Sequence, residues 1–285
     1  MIYILISICC NITVGVLFKL ARRYRINAEQ AIVWNYLTAI LLSWLFFDPQ
    51  TIPAENIPYL TYLALGILLP VMFVVIARSI RHTGIVRTDV AQRLSLFIPV
   101  VAAYLLFQEM FSWNRIGGIA LGFLAITCSI PWQKAAESKK QSAVTWYYPL
   151  TVFIGMGIID ILFKQIAQAG NIPYTSSLFV VFVIAFILSG AVLCWFFLTR
   201  RLKFEWINVV CGIFLGLFNF GNILFYLKAH QALARTPSVV FSGMNIGVII
   251  LGSLVGLLIF REKLTRLNYA GILLAIISII IISFG

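Results

Sequence analysis

Charge is what this sequence has least of. Of its 285 residues, 9 are Asp or Glu, 2 are His, and charged residues make up 11% of the chain. With 62% hydrophobic residues and a mean hydropathy of +1.01, it lies far outside the soluble range of about 45–50% apolar and 25% charged. A soluble fold of this length has too little interior to hide so much apolar surface. The net charge of +12 would point to nucleic acid in a soluble protein. Here most basic residues flank apolar runs, where Lys and Arg set topology and snorkel to the interface. The lipid bilayer, not nucleic acid, is the expected partner. Five cysteines (Cys9, Cys10, Cys128, Cys194 and Cys211) all fall inside apolar runs without CxxC or metal spacing. Neither a disulfide framework nor a metal site is supported. There is also no His-Glu-x-x-His and no Gly-x-Ser-x-Gly pattern, so a membrane-embedded enzyme has no visible nucleophile or metal cluster. The N-terminus lacks a basic n-region and a small-residue cleavage site, so residues 1–20 read as a retained helix.

What is present is a series of ten apolar runs: about 2–20, 28–47, 58–80, 89–107, 113–131, 146–168, 174–198, 206–229, 237–260 and 266–284. Each approaches the roughly 17–25 residues that span a bilayer as a helix. A β-barrel would show alternating segments of about ten residues instead. The predicted fold class is an all-α membrane protein with ten transmembrane helices. The polar joints between runs are short. The longest, QKAAESKKQSAVT at 133–145, falls midway along the chain. Thr236-Pro237 opens the ninth run, where proline suits a first helical turn.

The chain also contains one stretch twice. His82 and His230 each precede an Arg-Thr pair by five residues (Arg87-Thr88, Arg235-Thr236). A long apolar run follows, then Glu109 or Glu262, then Phe111-Ser112 or Leu264-Thr265, then Gly118 or Gly271. Leu17-Phe18-Lys19 recurs as Leu162-Phe163-Lys164, and Leu65-Gly66 as Leu215-Gly216. Residues 1–132 and 146–285 are therefore expected to be two five-helix repeats joined by the linker 133–145. An odd number of spans per half inserts the second copy upside down, and inverted repeats place a substrate site near the midplane between them.

The cassette of Glu109, Phe111-Ser112 and Gly118 with its copy at Glu262, Leu264-Thr265 and Gly271, together with Ser95-Leu96-Phe97-Ile98-Pro99-Val100, resembles the paired repeat of the drug/metabolite transporter superfamily, EamA type. The resemblance spans nearly the whole chain. It implies a secondary transporter working by alternating access, with the first, third, fourth, sixth, eighth and ninth spans around a central cavity. The cargo expected is a small polar or amphipathic metabolite, an amino acid or organic acid ahead of the alternative, a multidrug exporter of lipophilic compounds coupled to protons. A membrane-embedded enzyme is a remote third reading. No resident cofactor is implied, proton or ion coupling stays open, and the protein is expected as monomer or homodimer in a bacterial inner (plasma) membrane. One departure stands out: Pro99 has no counterpart in the ninth span, where Gly243, Asn245 and Gly247 occupy the middle. Lys and Arg concentrate in the odd-numbered joints, which puts those joints in the cytoplasm and both termini outside; family habit draws both termini inside.

Several residues are candidates for the transport path. Asp160 is the only acid deep inside an apolar run, a placement that costs roughly 2.5–3.5 kcal/mol on insertion scales. It either pairs with Lys164 at i,i+4 or meets substrate or proton. Asn219, Asn222 and Tyr226 share one helical face; with Asn11, Thr13 and Asn245 they are candidates to line the cavity, or else make interhelical hydrogen bonds. Lys19 and Lys164 either snorkel or flank the path. Arg78, His82 and His230 either cap helix ends at the interface or titrate there. Arg93 either pairs with Asp89 or points into the cavity mouth. Gly118-x-x-x-Gly122, Gly243-x-x-x-Gly247 and Gly252-x-x-x-Gly256 suit close helix packing within the fold, with a dimer contact as alternative. Glu109 and Glu262 read as turn-and-interface residues.

Overall fold

A computed structural model describes residues 2–24, 26–47, 58–83, 85–110, 112–129, 147–168, 173–258 and 265–284. Among them there is no strand. The helices run α1 (Ile2–Arg23), α2 (Ala28–Phe47), α3 (Tyr59–Thr83), α4 (Ile85–Leu94), α5 (Phe97–Leu105), α6 (Trp113–Ser129), α7 (Tyr147–Gln168), α8 (Tyr174–Leu198), α9 (Trp206–Ala232), α10 (Pro237–Leu258) and α11 (Arg266–Phe284). Six of these, α2, α3, α7, α8, α9 and α10, are long and apolar enough to cross a membrane, while α1, α6 and α11 offer shorter apolar lengths. The linker 133–145, Glu262 and the Lys19 side chain lie outside the described residues.

The expected fourth span is not one helix. It starts earlier, at Ile85, and breaks at Ser95-Leu96 into α4 and α5. The cause is local. Pro99 has no N–H to give back to the Ser95 carbonyl; Ile98 N–H takes that carbonyl at 3.0 Å instead, and Ser95 Oγ donates to the Gln92 carbonyl. In contrast, α10 runs unbroken through Gly243 and Gly247, so the departure at Pro99 becomes a real asymmetry of backbone.

The hydroxyls of the doubled cassette turn out to be helix caps. Ser112 Oγ accepts from Arg115 N–H at the start of α6, and Thr265 and Asn268 exchange hydrogen bonds at the start of α11. A hydroxyl three residues ahead of its partner N–H is the N-cap geometry. The two capped helices then pack on each other: Ser278 Oγ bonds the Gly118 carbonyl, Gly118 sits under Ile282, and Gly122 sits under Ser278 and, from α10, Ile246. Gly247 lies under Ile8 in the same way, whereas nothing lies near Gly252.

The tightest crossing is elsewhere. A methyl placed on Gly212 or Gly216 of α9 meets the backbone carbonyls of Ala31 and Asn35 on α2 at 2.6 Å. These glycines let α2 and α9 touch along their backbones, the role that small residues play between membrane helices. The most extensive helix pairs (α6–α11, α2–α9, α1–α9, α2–α8 and α3–α7) each join one half of the chain to the other. One core runs through both halves.

The helix ends sort into two faces. One is basic. There, Gln30 at the start of α2 binds the Lys203 carbonyl and Asn208 ahead of and within α9, and His82 at the end of α3 stacks on Tyr148 at 5.2 Å. Before that face, α8 ends with Arg200 in the left-handed region (φ 53°) and Arg201 N–H bonded back to the Phe196 carbonyl, a Schellman closure. The other face is poor in charge. It joins Tyr62 to Ser177 (2.6 Å), Glu109 to Ser238, and Lys164 to Ala234.

Candidate functional site

A cavity of about 460 Å³ lies inside the bundle, within the range of roughly 300–1,000 Å³ typical of small-molecule sites. It is lined from α1, α3, α4, α7, α9 and α10, which are the first, third, fourth, sixth, eighth and ninth spans of the sequence. Asn11, Asp160, Asn219, Asn222, Tyr226, Asn245 and Arg93 all line it; Thr13, Lys164, Arg78, His82 and His230 do not. Thr13 bonds the Cys9 carbonyl one turn back along α1, the usual fate of a helical threonine. Much of the rest of the wall is apolar, with Met72, Phe73, Met156, Phe163 and Met244.

Three of the amides that line it are held by neighbours. Asn219 Nδ2 donates to Asn35 Oδ1 at 3.2 Å, Asn222 Oδ1 accepts from Ser7 Oγ at 2.9 Å, and Asn245 Nδ2 donates to the Phe241 carbonyl. These bonds fix each amide while leaving part of it for a solute. Arg93 is tied at Nε, which donates to Asp89 Oδ2 at 2.7 Å, the carboxylate being the more exposed partner (47% against 18%), while its buried Nη1 has no hydrogen-bond partner among the described residues. Pairing and cavity lining, posed as alternatives for Arg93, hold together.

Asp160 does not pair with Lys164. Its Oδ1 accepts from Tyr226 Oη at 2.9 Å, across to α9. Lys164 is 0% exposed and donates to the carbonyls of Ala234 (3.0 Å) and His230 (3.5 Å), with the Phe107 ring 5.9 Å away. Neither snorkelling nor an i,i+4 ion pair describes it. The correction has a simple geometry: the end of α9 presents unpaired helix-terminal carbonyls to Lys164, and a cation there is favoured by the helix dipole.

His230 is not an interfacial cap either. It is 0% exposed, edge-on to Tyr226 and Phe241 (both 4.7 Å), and neither ring nitrogen has a hydrogen-bond partner among the described residues. Its repeat partner His82 is exposed on the basic face, as is Arg78. Glu109 is likewise buried, at 3% exposure, rather than interfacial. Its carboxylate accepts from Ser238 N–H (2.9 Å), Ser238 Oγ (2.6 Å) and Arg115 Nη1 (3.3 Å). It thus caps the N-terminus of α10 from the far half of the chain. Neither residue's burial was visible in the sequence, because both stand at the ends of apolar runs.

Residues 1–130 match the EamA-like transporter family. An uncharacterised protein of Haemophilus influenzae is 41% identical over 97% of this chain and 95% of its own length. The chain belongs to the EamA-like transporter family. It is therefore a membrane transporter of the drug/metabolite type, and EamA members are transporters rather than enzymes. A solved crystal structure of another protein superposes with a TM-score of 0.75 over 99% of this chain and 96% of that one, at 9% identity. That likeness shows the fold.

Proposed function

We propose that this EamA chain is a secondary transporter of a small metabolite bearing an ammonium group, an amino acid rather than an organic acid that lacks one. Its two halves, 1–132 and 146–285, act as inverted repeats around the cavity. The observation that carries the cargo class is the charge inside the cavity. Of the three charged side chains lining it, Asp89 and Arg93 neutralise each other, and Asp160 keeps only a neutral tyrosine partner. Lys164, His82 and His230 stand outside the wall. A lone carboxylate among amides selects an ammonium, and the fixed Asn219, Asn222 and Asn245 amides suit the polar remainder of a zwitterion. The inverted arrangement is supported by the matched caps at Ser112 and Thr265 and by helix ends that sort by charge into two faces. Two of the three glycine pairs, Gly118–Gly122 and Gly243–Gly247, pack within the fold, which favours a monomer, and the bacterial relative favours a bacterial inner membrane.

Ligands that bind only the folded state raise the unfolding temperature. In purified protein, zwitterionic α-amino acids are expected to raise it, and Asp160→Asn is expected to abolish the shift. Dicarboxylates that stabilise where amino acids do not would overturn the cargo class. A second reading, a proton-coupled exporter of lipophilic cations, draws on the Met and Phe wall around Asp160. It requires uptake in proteoliposomes to follow the pH gradient and Asp160→Asn to remove that dependence; coupling that survives the substitution rules it out.

A further inference from the structure

The cavity is lopsided. On α1, α3 and α10 most of its lining residues lie in the later halves of the helices, reaching Phe18, Ile80 and Gly256, close to the basic face. On α7 and α9 the lining stops at Phe163 and Tyr226. Beyond those two residues, toward the charge-poor face, three polar ties follow in order. Tyr226 on α9 binds Asp160 on α7. One turn further along both helices, Lys164 binds the His230 and Ala234 carbonyls, and Gln168 adds a second donor to Ala234 at 3.2 Å. Last, Glu109, from the turn between α5 and α6, holds Ser238 at the start of α10 together with Arg115. The turn from α9 to α10, residues 233–236, is thus grasped from both sides by groups belonging to other helices.

We propose that Lys164 and Glu109, which do not line the cavity, are the positioning residues of a gate that closes it toward the charge-poor face. This rests on the carrier reading above, since a gate matters only if the cavity must open on both sides. Buried charge that serves only stability is a poor bargain beside a well-packed apolar group; a charge that must be exposed in alternate states has reason to persist. His230 fits the same role. Sealed between Tyr226 and Phe241 with both nitrogens unbonded, it carries a desolvation cost in the closed state that opening relieves. The closed state is therefore held by the ties and opposed by the imidazole. Asp160 and Lys164 share a face of α7 one turn apart, and Tyr226 and His230 share one of α9. A solute ammonium that takes Asp160 from Tyr226 removes the innermost tie and loosens the next.

Sidedness of labelling tests this without knowledge of the cargo. In the full chain with its five cysteines replaced and Met156→Cys placed in the cavity wall, a membrane-impermeant maleimide is added to right-side-out or inverted vesicles. The cysteine is expected to react from the basic face and scarcely from the other. Lys164→Gln or Glu109→Gln is expected to raise the rate from the charge-poor face about tenfold, the response of a two-state gate that loses charged hydrogen bonds. Ser238→Ala, a milder change that leaves both charges in place, is expected to act in the same direction. Labelling from the basic face reports that each variant is folded. Equal labelling of the parent from both faces overturns the proposal, and so does an unchanged charge-poor rate in all three variants. If the gate responds as expected but proteoliposomes take up none of the amino acids that bind, the carrier reading falls and the gate stands.

Discussion

At the scale of single residues, Asp160 and Glu109 are both acids held by a hydroxyl from the second half of the chain, Tyr226 for one and Ser238 for the other. Asp160 stands out because an acid amid apolar residues is costly, and the shared face of Asn219, Asn222 and Tyr226 follows from helical period alone. The pairing of Asp160 with Lys164 was suggested by spacing, yet the side chains reach different neighbours: Tyr226 across the cavity and the carbonyl end of α9. Spacing within one helix cannot report what a second helix offers. Glu109 shows the same limit and supports a prediction. Burial raises its pKa above the ordinary 4.5, against the opposing pull of Ser238 hydrogen bonds, Arg115 and Lys164. The folded protein thus holds this proton more tightly than the unfolded chain does, so the stability the group contributes is complete below pH 4.5 and is lost as pH rises through the folded value. Glu109→Gln, neutral at every pH, should therefore melt no lower than the parent at neutral pH and show a flatter dependence of melting temperature on pH between about 4 and 7. A clear drop in melting temperature at neutral pH would mean the carboxylate is there for stability and not for the gate.

At the scale of elements, the positions of the spans were largely legible because apolar length and polar joints are written directly into the chain. The break at Ser95-Leu96 was only hinted at by Pro99, since a proline marks where a helix is weakened without saying which carbonyl is released. Which glycine pair matters was not legible. Gly118 and Gly122 advertise a packing motif and do pack, but the closest backbone approach falls to Gly212 and Gly216 against α2. A motif gives spacing; only the fold decides what stands opposite. Gly216→Ala should lower stability by about 1–3 kcal/mol through overpacking against backbone that cannot move aside. At Gly190, with nothing within 4 Å, the same change should be neutral or stabilising by up to about 1 kcal/mol through helix propensity. Thermal unfolding in detergent distinguishes the two, and equal effects would remove the close crossing as the cause.

At the scale of the whole molecule, the duplication told more than either copy. Neither His82 nor His230 reveals its surroundings alone: one is exposed and stacks on Tyr148 at the basic face and the other is sealed beside the cavity floor. Once the helix ends are sorted into a basic and a charge-poor face, His82 and His230 fall on opposite faces, and the direction of the cavity acquires meaning. The positive-inside rule puts the basic face in the cytoplasm, so the cavity then faces inward and the Lys164–Glu109 gate closes the outer side. A phosphatase that works only outside the membrane should be active when fused after Gly285, and a fluorescent protein that matures only in the cytoplasm should stay dark there. The reverse result would leave the cavity and gate unchanged but exchange their sides. The same closed gate would then stand between the cavity and the cytoplasm, and the state described would be one that receives cargo from outside.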